Sequence, residues 1–169
     1  MIDDEDEVLL ELSKVLGDFL PHIGGKSNVV NLLKPLEALC TVEEGMVRET
    51  AAKSINKLLG NIKVKDFEED LVTLFSRLVK GDWFTSKISA TMILPSIYPH
   101  VSSHGQKQLF KLYAPLCEDG IAQVRKAAAI ALNDLILYIP KAPEAELLEI
   151  FETFQKDSQD MVKMQGVDA

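Results

Sequence analysis

Gln123-Val124-Arg125-Lys126-Ala127-Ala128 is the stretch on which the fold turns, because versions of it return along the chain. Met46-Val47-Arg48-Glu49-Thr50-Ala51-Ala52 and Met161-Val162-Lys163 repeat its pattern, while Glu7-Val8-Leu9 and Trp83-Phe84-Thr85-Ser86-Lys87 fill the same slot. The anchors Val8, Val47, Thr85, Val124 and Val162 stand 39, 38, 39 and 38 residues apart. A period of this size marks an α-solenoid, in which each unit is a helical pair that cannot bury its apolar face alone.

Other offsets keep the same register. Four residues after the anchors come Leu12, Ala51, Ser89, Ala128 and Gly166; eight after come Leu16, Ile55, Ile93 and Leu132; twelve after come Leu20, Leu59, Ile97 and Ile136. These positions share one helical stripe, drifting about 40° per step. Small residues early in the stripe admit a neighbouring helix, and large ones later fill the core. Fourteen before the anchors come Leu33, Leu71, Phe110 and Leu148, and eleven before come Leu36, Leu74, Tyr113 and Phe151. Each repeat therefore has a first helix upstream of the anchor and a second that starts just before it. The spacing predicts second-type helices near 5–20, 44–60, 83–98, 121–139 and from 159 onward, and first-type helices near 27–41, 66–80, 105–118 and 143–156. Pro21, Pro99, Pro140 and Pro143 fall between repeats, where a helix must stop. Pro35 and Pro115 read as kinks in first-type helices, and Pro95 also falls inside a helix. A helical bundle with accidental spacing is the rival reading, and five anchors on one period weigh against it.

The expected architecture is all-α: a right-handed, two-layer stack of antiparallel helical pairs. It divides into a half repeat at 1–25, repeats at 26–63, 64–102 and 103–141, and a partial one at 142–169. Solenoids carry polar capping repeats at their ends. Neither end reads as a cap, so the expectation is a segment of a longer array, truncated at both ends. Leu9, Leu12 and Leu16 at one end and Val162 and Val167 at the other are then expected to be partly uncovered and able to associate.

Composition sets limits on function. Of 169 residues, 47% are hydrophobic and only 7% aromatic, a mix of Leu, Val, Ile and Ala that favours helix. The net charge of −8 argues against nucleic acid, whose phosphates need Lys and Arg clusters. No run of roughly 18 apolar residues marks a membrane span. The acidic start Met1-Ile2-Asp3-Asp4-Glu5-Asp6-Glu7 does not read as a signal peptide. A cytoplasmic location, with the nucleus as a second one, is the expectation.

Candidate chemistry is sparse. His100 and His104 are four apart, a metal-ligand spacing on a helix, but Pro99 puts them in a turn as solvated histidines. Cys40 and Cys117 take equivalent slots seven before their anchors, with Leu78 between them, which reads as small buried hydrophobes two repeats apart. Gly24-Gly25 reads as a helix C-cap, and no Gly-rich phosphate loop occurs. The acidic clusters at 3–7, 43–44 and 68–70 lack calcium-loop spacing, and the first two open or precede second-type helices, where the dipole favours carboxylates. No cofactor or metal is implied. Asp119 lies six before Arg125 and Asp157 six before Lys163; such pairs join turns to helices and cross-link repeats as a ladder. Trp83, the one tryptophan, sits beside Phe84, and adjacent aromatics cannot both face one stripe. An exposed tryptophan is a typical binding hot spot.

With the turn-Val-Arg-small pattern and the inner prolines in place, the chain resembles the HEAT-repeat family, and within it the scaffolding A subunits of protein phosphatase 2A. Asp4-Glu5-Asp6-Glu7-Val8-Leu9-Leu10, Leu36-Glu37-Ala38-Leu39-Cys40-Thr41-Val42-Glu43-Glu44, Gly81-Asp82-Trp83-Phe84-Thr85-Ser86-Lys87, Tyr98-Pro99-His100-Val101-Ser102-Ser103 and Val124-Arg125-Lys126-Ala127-Ala128-Ala129 carry the resemblance. It implies a non-catalytic scaffold whose amino-terminal repeats hold regulatory B subunits through intra-repeat turns. The catalytic subunit would sit on repeats absent here, and this chain would run from the second half of repeat two to the start of repeat six. The implied contact residues are Glu5, Glu43, Glu44, Asp82, Trp83, Phe84, Asp119, Arg125 and Lys126. The chain departs from the family at Ala122, where Pro is usual, and at Lys126, where Arg is usual. Lysine cannot copy a bidentate guanidinium contact. The alternative in the same class is a HEAT adaptor of another kind, such as a transport receptor. An enzyme would need a pocket of convergent titratable groups, with His100 and Cys117 as its best starting pair.

Overall fold

The computed structural model describes residues 4–136, 138, 144–163 and 165. Pro140 and Pro143, together with Gly166 and Val167, lie outside the described residues. Among the described residues the chain forms α-helices and short 3₁₀ turns, without strands. The helices are α1 (Asp4–Asp18), α2 (Val30–Leu39), α3 (Gly45–Leu59), α4 (Glu68–Val79), α5 (Phe84–Ile97), α6 (Ser103–Tyr113), α7 (Ala122–Leu135), α8 (Glu144–Gln155) and α9 (Asp160–Lys163). They stack in two layers. One holds α1, α3, α5, α7 and α9, each packed on the next; the other holds α2, α4 and α6, with α8 packed beside the turn that follows α6.

Local chemistry sets the ends of these helices. Glu44 caps α3 by accepting the Met46 N–H at 3.1 Å, and Ser102 caps α6 by accepting the Gly105 N–H at 3.1 Å. Glu68, Glu69 and Asp70 open α4, where exposed amides favour negative charge. Gly24, at φ 87°, closes the 3₁₀ turn Leu20–Ile23 in the left-handed region that glycine enters without strain. Pro35 and Pro95 lie inside α2 and α5. Pro115 does not kink a continuous helix: α6 ends at Tyr113 and the chain continues as a 3₁₀ turn, Ala114–Glu118. Ala114 itself keeps α-region dihedrals, at φ −52° and ψ −41°; what Pro115 removes is the backbone N–H that would continue the helical ladder.

The repeat stripes form the core. Leu33, Leu36, Leu71, Leu74, Tyr113, Val47, Ile55, Ile93, Val124 and Leu132 are all buried. Ala51, Ser89 and Ala128 are buried in equivalent slots. Gly17 marks how closely α1 and α3 meet: a Cβ there would come within 2.7 Å of Ser54 Oγ and 3.2 Å of Ser54 Cα. Small polar groups satisfy carbonyls of neighbouring elements. Ser54 Oγ donates to the Ser13 carbonyl at 2.7 Å, Ser89 Oγ to the Cys40 carbonyl at 2.8 Å, and Asn56 Nδ2 to the Met92 carbonyl at 3.0 Å. Tyr113 Oη donates to the Ala128 carbonyl at 2.8 Å and ties the two helices of one repeat.

Three expectations from the stripes need correction. Val162 is fully buried rather than partly uncovered, because α9 tucks against α7 and α8. Leu148 is 62% exposed, since α8 turns Ile150 and Phe154 inward instead. Ile136 is also exposed, because α7 ends at Leu135 and the stripe ends with it. At the other end the open face is wider than expected: Val8, Leu12, Val15 and Phe19 are exposed, while Leu9 and Leu16 are half-buried. No helix among the described residues is long and apolar enough to cross a membrane.

Cys40 and Cys117 are both free and buried, and burial pushes each thiol up to about 12. Neither is a thiolate at neutral pH. A maleimide at pH 7 is therefore expected to leave both thiols unmodified in the native protein and to label both in denaturant. Rapid labelling of the native chain would contradict this packing.

Candidate interaction ridge along the turns

The turns inside each repeat, at 40–44, 80–83, 114–121 and 156–159, lie at one edge of the stack, where the second helix of each pair begins. A side chain just after the start of that helix reaches back to each of the first three. Arg48 Nη1 donates to the Val42 carbonyl at 2.8 Å and also to the Glu43 carbonyl. Ser86 Oγ donates to the Trp83 carbonyl at 2.7 Å, and Arg125 Nη1 to the Asp119 carbonyl at 2.8 Å. These bonds satisfy turn carbonyls and fix the turn on its helix.

Ion pairs then join one turn to the next. Lys87 Nζ meets Asp119 Oδ2 at 2.7 Å. Arg125 grips Asp157 with two bonds, Nε to Oδ2 at 2.6 Å and Nη2 to Oδ1 at 2.9 Å. Each acid also accepts a backbone amide of its own turn: Ile121 N–H to Asp119 at 2.9 Å and Gln159 N–H to Asp157 at 2.8 Å. The acids and bases cross-link adjacent repeats as a ladder, but not as the six-apart pairs: each rung joins residues 32 apart, Lys87 with Asp119 and Arg125 with Asp157, and Lys163 pairs with Asp160 at 3.2 Å. The Arg125 bond is the main force holding the Asp157 carboxyl below the usual carboxylate range. At Asp119 burial opposes ionisation, but the bonds from Lys87 and the Ile121 amide outweigh it and lower its pKa.

The ladder sorts the candidate contact residues. Asp119 and Arg125 already face protein partners, and the Arg125 side chain is only 15% exposed. Glu5, Glu43 and Asp82 are exposed, Glu44 is a half-buried cap, and Lys126 is half-buried. The two aromatics separate: Phe84 packs against the core, while Trp83 is 71% exposed. Sequence reasoning missed three residues that accompany Trp83. Met46 and Met161, in the first turns of α3 and α9, and Ile121, just before α7, are exposed apolar side chains, so each of the four turns has one in it or at the helix start beside it. Reading the three residues before every anchor, rather than looking only for tryptophan, would have found them.

Enzyme chemistry has no footing at the pair considered above. His100 is exposed in the 3₁₀ turn before α6, and Cys117 is buried in the turn after it, at the opposite end of that helix. His104 sits on α6 itself, so the two histidines do not share one helix. Among the described residues, no cluster of three His, Cys, Asp or Glu is placed to hold a metal ion.

No family model matches the chain. It is 40% identical over 169 residues, 99% of its length, to a probable serine/threonine-protein phosphatase PP2A regulatory subunit of Caenorhabditis elegans. It is 38% identical over 152 residues, 89% of its length, to the protein phosphatase 2A scaffold subunit of Dictyostelium discoideum. The chain is a relative of the phosphatase 2A scaffold subunits. A 65 kDa phosphatase 2A regulatory subunit of Arabidopsis thaliana, 42% identical over 131 residues and 78% of this chain, extends the likeness to plants. The phosphatase 2A relatives are named as regulatory or scaffold subunits, not catalytic ones, and none of these three is a transport receptor. The chain spans 29%, 26% and 22% of their lengths. Solved structures agree on the fold alone. An engineered protein matches with a TM-score of 0.56 at 18% identity, covering 98% of this chain and 74% of its own. A designed armadillo-repeat protein matches with a TM-score of 0.56 at 16% identity, covering 98% and 75%.

Asp157 carries the firmest rung, and its lowered pKa fixes the sign of a pH effect. Its contribution is complete above the unfolded carboxylate pKa and is lost as pH falls through the lower folded value. Asp157→Asn should lower stability by about 2 kcal/mol at pH 7, and by less as the pH is taken into the acid range. Urea melts at several pH values would check this, and an equal loss at every pH would contradict it.

Proposed function

We propose that this chain is a non-catalytic scaffold segment of protein phosphatase 2A. It binds regulatory B subunits through its ridge of turns and helps place them relative to the catalytic subunit. The observation that carries the reading is Trp83: a large aromatic held 71% exposed on a turn whose carbonyl is pinned by Ser86, with exposed Met46 at the start of α3 and Ile121 just before α7 at the neighbouring turns. Asp82, beside it in the turn, and Glu43, in the preceding turn, are exposed carboxylates with no ion pair among the described residues. A rigid apolar anchor rimmed by charge is the anatomy of a binding hot spot. The phosphatase 2A relatives support the partner class. By the family resemblance, the segment occupies regulatory-subunit territory in the amino-terminal repeats, and the catalytic subunit sits on repeats outside this chain.

Trp83→Ala should weaken binding of a purified regulatory subunit by about thirtyfold, the loss of one hot-spot residue. Circular dichroism should show unchanged helicity, since the indole packs little of the core. Unchanged affinity with intact helicity would sink the ridge assignment.

A further inference from the structure

Besides the ridge, the layer of first helices carries a feature of its own. α4 and α6 leave between them an open trough of about 690 Å³. Its floor is apolar, with half-buried Val72 and Leu112. Its rim is basic: Arg77, Lys80 and Lys111 line it, with the Gln108 amide beside them and no carboxylate among the lining residues. This inverts the local charge in a chain of 26 acids and 18 bases.

The three cations are in different states. Arg77 is held in place by two bonds to Glu37, from Nε at 2.6 Å and Nη2 at 2.7 Å. Asp70 adds a second carboxylate whose field acts on Arg77, and neither acid lines the trough. Lys80 and Lys111 are exposed and make no ion pair among the described residues.

We propose that this trough docks an acidic peptide segment of a partner protein, with an apolar side chain on Val72 and Leu112 and carboxylates against Lys80 and Lys111. Charge complementarity selects the occupant. An acidic strand neutralises two unpaired ammonium groups, whereas a basic or neutral one leaves them unpaired and repels or ignores them. The trough is open along its length, which suits an extended chain rather than an enclosed small molecule.

The test uses a fluorescein-labelled peptide of alternating glutamate and leucine, read by anisotropy on the native chain. Binding should occur and weaken as salt is raised. The double variant Lys80→Glu/Lys111→Glu should lose at least about tenfold in affinity, from two lost pairs and two new repulsions. Lys63→Glu/Lys65→Glu makes the same charge change in the 3₁₀ turn before α4 and should leave affinity within about twofold, because its charges lie outside the trough. A glutamine–leucine peptide should bind more weakly than the acidic one. Absence of binding, equal losses in the two double variants, or equal binding of the two peptides would each overturn the proposal. Circular dichroism of both variants confirms that they fold, as exposed lysines of this kind carry no packing.

Discussion

Close approach of successive helices in the α1–α9 layer is the constraint on which the rest depends. Gly17 on α1 meets Ser54 on α3 where even a Cβ has no room, and Ala51, Ser89 and Ala128 fill a buried small-residue slot once per repeat. Contact at this distance brings donors within reach of the neighbouring backbone, so Ser54 and Asn56 each cap a carbonyl across the layer, while Ser89 caps the Cys40 carbonyl at the end of α2. The spacing between helices sets the spacing between turns. Only at that spacing can Lys87 reach Asp119 and Arg125 reach Asp157. The ridge is thus a product of small residues buried beneath it.

The same arrangement explains why Trp83 faces water. Ser86 holds the Trp83 carbonyl through both its amide and its hydroxyl, which fixes where α5 starts. Phe84, the first residue of that helix, then packs on the core, and the extended backbone at Trp83 sends its neighbouring side chain the other way. The ion pairs bear on orientation more than on total stability. Arg125 and Asp157 are mostly withdrawn from solvent, and a pair of that kind offsets its own desolvation only through good geometry and extra bonds. Both are present here, since Asp157 also accepts the Gln159 amide. The more exposed pairs, such as Lys53 with Glu49, add little beyond local helix support.

Much of this was legible in the residues. The recurrence of Val-Arg-small placed the helix pairs and the buried slots, because a solenoid imposes the same environment once per period. The cysteines were legible for the same reason: Leu78 in the equivalent slot marks it as apolar. Two kinds of detail were not legible. A period sets position along a helix but not rotation of the last helices in the stack, so Leu148 and Ile150 exchanged roles and Val162 was covered. Nor does it say which neighbour a long side chain reaches. Arg125 lies six residues from Asp119, yet its fork takes the Asp119 carbonyl and its charge goes to Asp157 in the next repeat. The apolar row of Met46, Ile121 and Met161 was overlooked because isolated methionine or isoleucine carries no signal until the turns are aligned in space.

The small-residue contact can be measured directly. Ala128→Leu puts three extra carbons into a fully buried small-residue slot of α7. Overpacking of a tight core site costs about 1–3 kcal/mol. A urea melt of this variant against the parent should show that loss, with the midpoint moving and the slope unchanged. A variant as stable as the parent would mean that the helices are not held at close contact, and the alignment of the turns would need another cause.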